Sequence, residues 1–316
     1  MNTIKLCLIF YFLTAGSIYA LGSKEIETEN NVIISSVQQN TIQQINTEPS
    51  RAEKVMRALV SAYPRQIEKI EYRNNDWAVL LRGTWYHYAE GKLLPQSLLP
   101  NAANYSPQPF YNYIAELPVW KAPTAEEAER YRSMANSRNQ NPPRRSSQFF
   151  DELWRAHNRN EAYDRVKTIR FLGKSVTVHY LILENLSLAE EQILAAAKVN
   201  PQVQSWINSI SSLEGWSWRN IADTQSRSYH SYGLAVDIMP KSYGGKETYW
   251  LWASNRRSDW WNISYNERYH PPEAVIKAFE AYGFIWGGKW LYFDTMHFEY
   301  RPEILILSGK PPEVKR

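Results

Sequence analysis

Ser228-Tyr229-His230-Ser231-Tyr232-Gly233-Leu234-Ala235-Val236-Asp237 sets an imidazole and a carboxylate seven positions apart, with a glycine and a small alanine between them. After Gly233, strand alternation sends Leu234, Val236 and Ile238 to one side and Ala235 and Asp237 to the other. The apolar side suits a core, so Asp237 is delivered to an open face with Ala235 leaving room beside it. His230 lies just before the Gly233 turn, where a fold-back can bring it to Asp237.

Asp294-Thr295-Met296-His297-Phe298-Glu299-Tyr300 repeats the device near the far end of the chain. Met296, Phe298 and Tyr300 face one way, and Thr295, His297 and Glu299 the other. Two core-anchored strands that each present a ligand make a rigid metal site. His230, Asp237 and His297 with an open fourth position suit catalytic zinc. The same set could hold iron for oxygen chemistry, although export away from cytosolic cosubstrates argues against it. Asp294 is the candidate general base. Strand parity opposes that role, because residues three apart in a regular strand face opposite sides, so the chain must be bulged or only entering the strand at Asp294. Spacing alone leaves ordinary hydrogen-bonded histidines as the competing reading, and that reading is assigned to His87, His157, His179 and His270.

Composition allows such a domain. The chain has 316 residues, 44% of them hydrophobic and 22% charged, enough for a sizeable core without staples. A net charge of +4, with no Lys/Arg stripe, does not indicate a nucleic-acid partner. Residues 1–22 read as a secretory signal peptide: Lys5, an apolar run from Leu6 to Ala15, then small residues up to Gly22. An uncleaved anchor is the alternative. The sole cysteine, Cys7, falls inside this segment, so the expected mature protein has neither disulfides nor Cys ligands. Export to the periplasm or cell envelope follows, with no stable membrane span after signal removal.

Residues 23–50 are polar and read as a disordered leader, and 51–147 as an N-terminal accessory region. Within it Arg51–Tyr63 has helical spacing ended by Pro64, Asp76–Pro95 alternates as a hairpin or meander, and 101–123 has no clear period. Thr124-Ala125-Glu126-Glu127 has a capping-box pattern and opens a helix to Arg132. Ser137–Ser147 reads as a polar linker and domain boundary. Residues 148–308 form the candidate catalytic domain: one helix over Phe149–Tyr163, two strands around Gly173-Lys174, helices over Ser187–Val199 and Val203–Ile210, and a helix started by Pro271-Pro272 and ended at Gly283. Residues 309–316 are a tail. The fold class is α+β, a small antiparallel sheet with flanking helices carrying the His-Asp-His site, plus an N-terminal α/β extension.

The motifs Ser228-x-His230-x-x-Gly233-x-Ala235-x-Asp237 and Gly283-Phe284-x-Trp286-Gly287-Gly288-x-Trp290 … Asp294-x-x-His297-Phe298 closely resemble the D-alanyl-D-alanine carboxypeptidase/VanY group of zinc peptidases, the M15 family. The resemblance covers roughly Val166–Pro302. It implies Zn2+ held by His230, Asp237 and His297, Asp294 as catalytic base, and peptidoglycan peptides as substrate. Asp at position 294 resembles the L-alanyl-D-glutamate endopeptidase branch, whereas many carboxypeptidases of the family carry Glu. Arg219 matches the family's substrate-contacting arginine, with Arg227 as rival, and Ser228 is expected to support the ligands by hydrogen bonding. Trp250, Trp252, Trp260 and Trp261 fall between the motifs, where packing is the commoner role and glycan contact the other.

The function expected is an exported zinc metallopeptidase, first a D-alanyl-D-alanine carboxypeptidase, with L-alanyl-D-glutamate endopeptidase as the alternative. The competing class is a non-catalytic wall-binding module of the same fold.

Overall fold

A computed structural model describes residues 48–313. The expected signal segment and nearly all of the expected leader lie outside the described residues, as does the end of the tail. Helix α1 (Arg51–Ala62) starts where the Ser50 hydroxyl accepts the Glu53 amide, and it buries Val55, Met56 and Leu59. Four strands follow as an antiparallel meander: β1 (Ile67–Arg73), β2 (Asp76–Leu81), β3 (Thr84–His87) and β4 (Leu94–Pro95). Strand β1 has no counterpart in the sequence reading. It is an edge strand rich in charge, and a bulge between Ile67 and Lys69 breaks the alternation by which a strand is recognised.

Helix α2 (Ala125–Gln140) begins with the expected capping box between Thr124 and Glu127, and runs eight residues beyond Arg132. The stretch 141–147 is a strap rather than a free linker. Ser106 donates to Arg144, and Gln225 and Ser226 both donate to Pro143. Phe149–Tyr163 is not one helix but two, α3 (Gln148–Trp154) and α4 (Arg159–Tyr163). Arg155 turns left-handed at φ 52° between them, and the Asn158 side chain caps the second. Apolar spacing carried across this break because buried Ala156 continues the pattern.

The hairpin β5 (Val166–Phe171) and β6 (Lys174–His179) turns at Leu172-Gly173. Helices α5 (Leu183–Val199) and α6 (Pro201–Ser209) follow, the second capped by Asn200. The remaining strands are β7 (Ile210–Glu214), β8 (Ala235–Pro240), β9 (Phe284–Trp286) and β10 (His297–Tyr300), an antiparallel sheet in the order β7-β8-β10-β9. Helices α7 (Trp250–Ser254), α8 (Glu273–Ala281) and α9 (Pro302–Leu307) complete the chain. The architecture is α+β, as expected.

Residues 50–313 are one compact unit whose main core draws on both sides of the strap, from Val55 and Met56 through Phe149 to Phe298. On the sheet's core face, Phe298 stacks on Phe279 of α8 with ring centroids 4.0 Å apart. A smaller core gathers Trp250, Trp260, Trp261, Ile263 and Phe293. Packing therefore accounts for three of the four tryptophans between the motifs, and Trp252 is exposed. No helix among the described residues is long and apolar enough to cross a membrane.

Candidate metal centre

Strand register builds the site. In the β8–β10 pair His297 lies opposite Asp237, and Glu299 lies opposite Ala235. The small Ala235 side chain leaves the cleft face to the longer Glu299. His230 arrives from the single 3₁₀ turn Tyr229–Tyr232, which closes on Gly233 at φ 71°. A Cβ on Gly233 would come within 2.7 Å of the His179 amide, which donates to the Gly233 carbonyl, so both conformation and space require glycine.

Three donors converge in the resulting pocket. His230 Nε2 is 3.2 Å from His297 Nδ1 and 3.3 Å from Asp237 Oδ2, and His297 Nδ1 is 2.8 Å from Asp237 Oδ1. One ligand atom from each residue can be chosen with all three within 4.8 Å of one another. The other ring nitrogens are already committed. His230 Nδ1 donates to the Gly215 carbonyl at 2.6 Å, and His297 Nε2 donates to Glu299 Oε2 at 3.1 Å. Each imidazole thus turns its remaining nitrogen inward, as partners of metal-binding histidines do. Gly215 approaches β6 so closely that a Cβ would meet the Thr177 carbonyl at 2.1 Å.

Electrostatics agree with a cation site. Burial disfavours a charged His297, yet hydrogen bonds to Asp237 and Glu299 raise its pKa well above the usual histidine range. Burial also opposes the Asp237 charge, but His230 and then His297 hold its pKa far below the carboxylate range. An enclosed site that draws a proton between two carboxylates has the polarity to accept a metal in its place. Two imidazoles and one carboxylate, each oriented by a second contact or by strand register, fit a zinc-type donor set.

Asp294 lines the same cavity as His230 and His297. The parity objection dissolves because β10 begins only at His297, whose amide bonds back to the Asp294 carbonyl across a turn. Asp294 Oδ1 accepts the Met296 amide at 3.3 Å. Burial, and then the nearby Asp237 charge, push the Asp294 carboxyl up to about 7.

Arg219 also lines the cavity, and its side chain has no hydrogen bond or salt bridge among the described residues. Arg227 does not line it. Its guanidinium lies 4.1 Å above the Trp218 ring and 3.4 Å from Asp151, a structural role. The Ser228 hydroxyl accepts the His230 amide at 3.3 Å, supporting the turn rather than a ring nitrogen. His179 is buried against Trp154, and His157 sits between Glu152 and Glu161 outside the cleft.

Sequence reasoning left out the support behind His297. Glu299 Oε1 accepts from Arg301 Nη1 at 3.2 Å, Arg301 Nε donates to Glu303 Oε1 at 2.5 Å, and Tyr63 donates to Glu303 Oε2 at 2.6 Å. The period-two series His297, Glu299, Arg301 was a visible signal. Nothing local pointed to Tyr63. The cleft wall from Tyr111 and Tyr113 was missed for the same reason, although Tyr111 accepts from Trp290 and Tyr113 from the Trp286 amide.

Residues 222–300 match a peptidase M15 family model described as D-alanyl-D-alanine carboxypeptidase. This region is an M15-family peptidase domain. The match takes in all three convergent donors and Asp294, and Arg219 lies just ahead of it. Residues 55–110, ahead of the M15 domain, match a second model described only as a domain of unknown function. Searches of curated proteins and of solved structures returned no match.

Proposed function

We propose that the chain is an exported zinc metallopeptidase that hydrolyses peptidoglycan stem peptides, acting as a D-alanyl-D-alanine carboxypeptidase. The observation that carries this reading is the convergence of His230, Asp237 and His297, two of which line one cavity with Asp294. His230, Asp237 and His297 would hold the metal. When bound, zinc supplies Lewis-acid polarisation of a carbonyl and a more acidic water. Asp294 takes the proton of the attacking water and passes it to the leaving amine, and a carboxyl poised near neutrality suits both transfers. The unpaired Arg219 guanidinium is free to meet the developing oxyanion or a terminal carboxylate. Glu299 keeps the His297 ring turned toward Asp237.

Asp rather than Glu at position 294 favours a second reading, cleavage of the L-alanyl-D-glutamate bond. A wall-binding module without catalysis would need neither a base at Asp294 nor an unpaired Arg219. Localisation in the periplasm or cell envelope rests on the sequence of residues 1–22. Incubating the zinc-loaded protein with defined muropeptides and reading products by mass spectrometry tests the proposal. Released D-alanine supports the carboxypeptidase, fragments ending at L-alanine support the endopeptidase, and no product from any muropeptide sinks both.

A further inference from the structure

The cavity lined by His230, His297 and Asp294 has a volume of about 410 Å³, and the rest of its wall is rich in hydrogen-bond donors. Arg138 on α2 and Arg145 in the strap line that wall, and both come from outside the region matched by the peptidase family. Neither has a carboxylate partner among the described residues. Arg138 Nη2 reaches only the Ala222 carbonyl, at 3.3 Å, while its guanidinium lies 4.8 Å above the Tyr292 ring. Arg145 Nε donates to the Pro107 carbonyl at 2.9 Å, its one side-chain hydrogen bond. Three buried donors on cavity-lining residues have no acceptor among the described residues: Arg138 Nε, Tyr229 Oη and Arg301 Nη2. Glu299, which also lines the cavity, has one oxygen on His297 and the other on Arg301.

Buried donors without acceptors are costly, and a guanidinium pair without a counter-ion costs more. Arg138 and Arg145 thus bring two guanidiniums without a paired carboxylate to the lining of the candidate active-site cavity. We propose that Arg138 and Arg145 form a second substrate subsite, which takes a non-terminal carboxylate of an acidic peptide. The inference rests on the peptidase reading for its peptide, but the subsite is distinct from the metal ligands and from Arg219. Burial, and then the like charges of Arg138 and Arg301, pull the Arg145 guanidinium down to about 10, a repulsion that a bound carboxylate would relieve. Two guanidiniums suit a carboxylate because their planar forks match its two oxygens. A neutral amide at the same place would leave the charges unbalanced.

The test uses two pentapeptides, L-Ala-γ-D-Glu-L-Lys-D-Ala-D-Ala with the glutamyl α-carboxyl either free or amidated. Calorimetric titration into the full chain carrying Asp294→Asn, which suppresses turnover, compares their affinities. The free acid should bind about tenfold more tightly or better, the size expected of one charge-assisted contact. Arg138→Gln with Arg145→Gln should remove that difference between the two peptides. Equal affinities for the two peptides in the unsubstituted wall, or no binding of either, overturn the proposal without needing any arginine variant to fold. If the acid preference holds but the wild-type chain hydrolyses neither peptide, the subsite stands and the peptidase reading fails.

Discussion

Tyr63, at the end of α1, donates a 2.6 Å hydrogen bond to Glu303, 240 positions further along the chain. Glu303 is fully buried and also accepts from Arg301, which holds Glu299, which holds His297. A contact from the N-terminal region thus closes a charged series that ends on a candidate metal ligand. Tyr63→Phe removes the donor and leaves a buried carboxylate oxygen unpaired, which costs about 1–3 kcal/mol. Thermal or urea unfolding should show that loss, and an unchanged midpoint would mean that Glu303 finds another partner.

Glu299→Gln keeps the shape of the side chain but gives up the charge that accepts from His297. Loss of such a partner lowers metal affinity by about 10–100-fold. Zinc titration of the chelator-stripped protein checks this, with His297→Ala as the reference for loss of the ligand itself.

Zinc affinity should weaken as pH falls. The metal-free protein holds a proton on His297 up to an unusually high pH, because Asp237 and Glu299 flank the ring against the opposing effect of burial. That proton must leave before Nδ1 can bind a metal, so binding releases it and is favoured by higher pH. Calorimetry in buffers of different ionisation enthalpy reads the proton directly. Zinc binding with no proton released across the neutral range would refute the assignment of Nδ1.

Asp294→Asn should lower kcat by about 10²–10⁴-fold while zinc content stays at the wild-type level. An unchanged rate would remove Asp294 from the base role.

The acid limb of the pH–rate profile follows from the same residue. A base works as the carboxylate, so the rate falls as pH drops through its pKa. In the metal-free protein burial and Asp237 place that pKa at about 7. A bound cation attracts the carboxylate form, so the limb falls at or below that value. Replacement of Asp294 should flatten the limb, and a limb that survives would belong to another group.

Much of the site was legible because its strands obey period two over a buried face. Val236 and Phe298 had to enter the core, which turned Asp237, His297 and Glu299 to the other side. The capping box at Thr124 and the prolines before α8 were legible for a similar reason, since they act within one turn of the backbone. Asp294 defeated the parity argument because long-range bonds shape its segment. Its amide donates to Gly287, and the Thr295 amide to Thr248. Those bonds hold a turn where alternation alone continues a strand.

Local chemistry, then, decides which side chains can share a face, because sterics and burial act on neighbouring residues whatever the rest of the chain does. It made His230, Asp237 and His297 candidates, while Asp294 stood against strand parity and gained its role from the resemblance of the two motifs to a known family. Only the tertiary structure decides which faces meet. The register that sets His297 against Asp237, the turn that aims Asp294 into the cavity, the arginines that α2 and the strap bring to the cleft wall, and the Tyr63–Glu303 contact all depend on surfaces far apart in sequence. Their energies come from packing and desolvation that exist only once the core has closed.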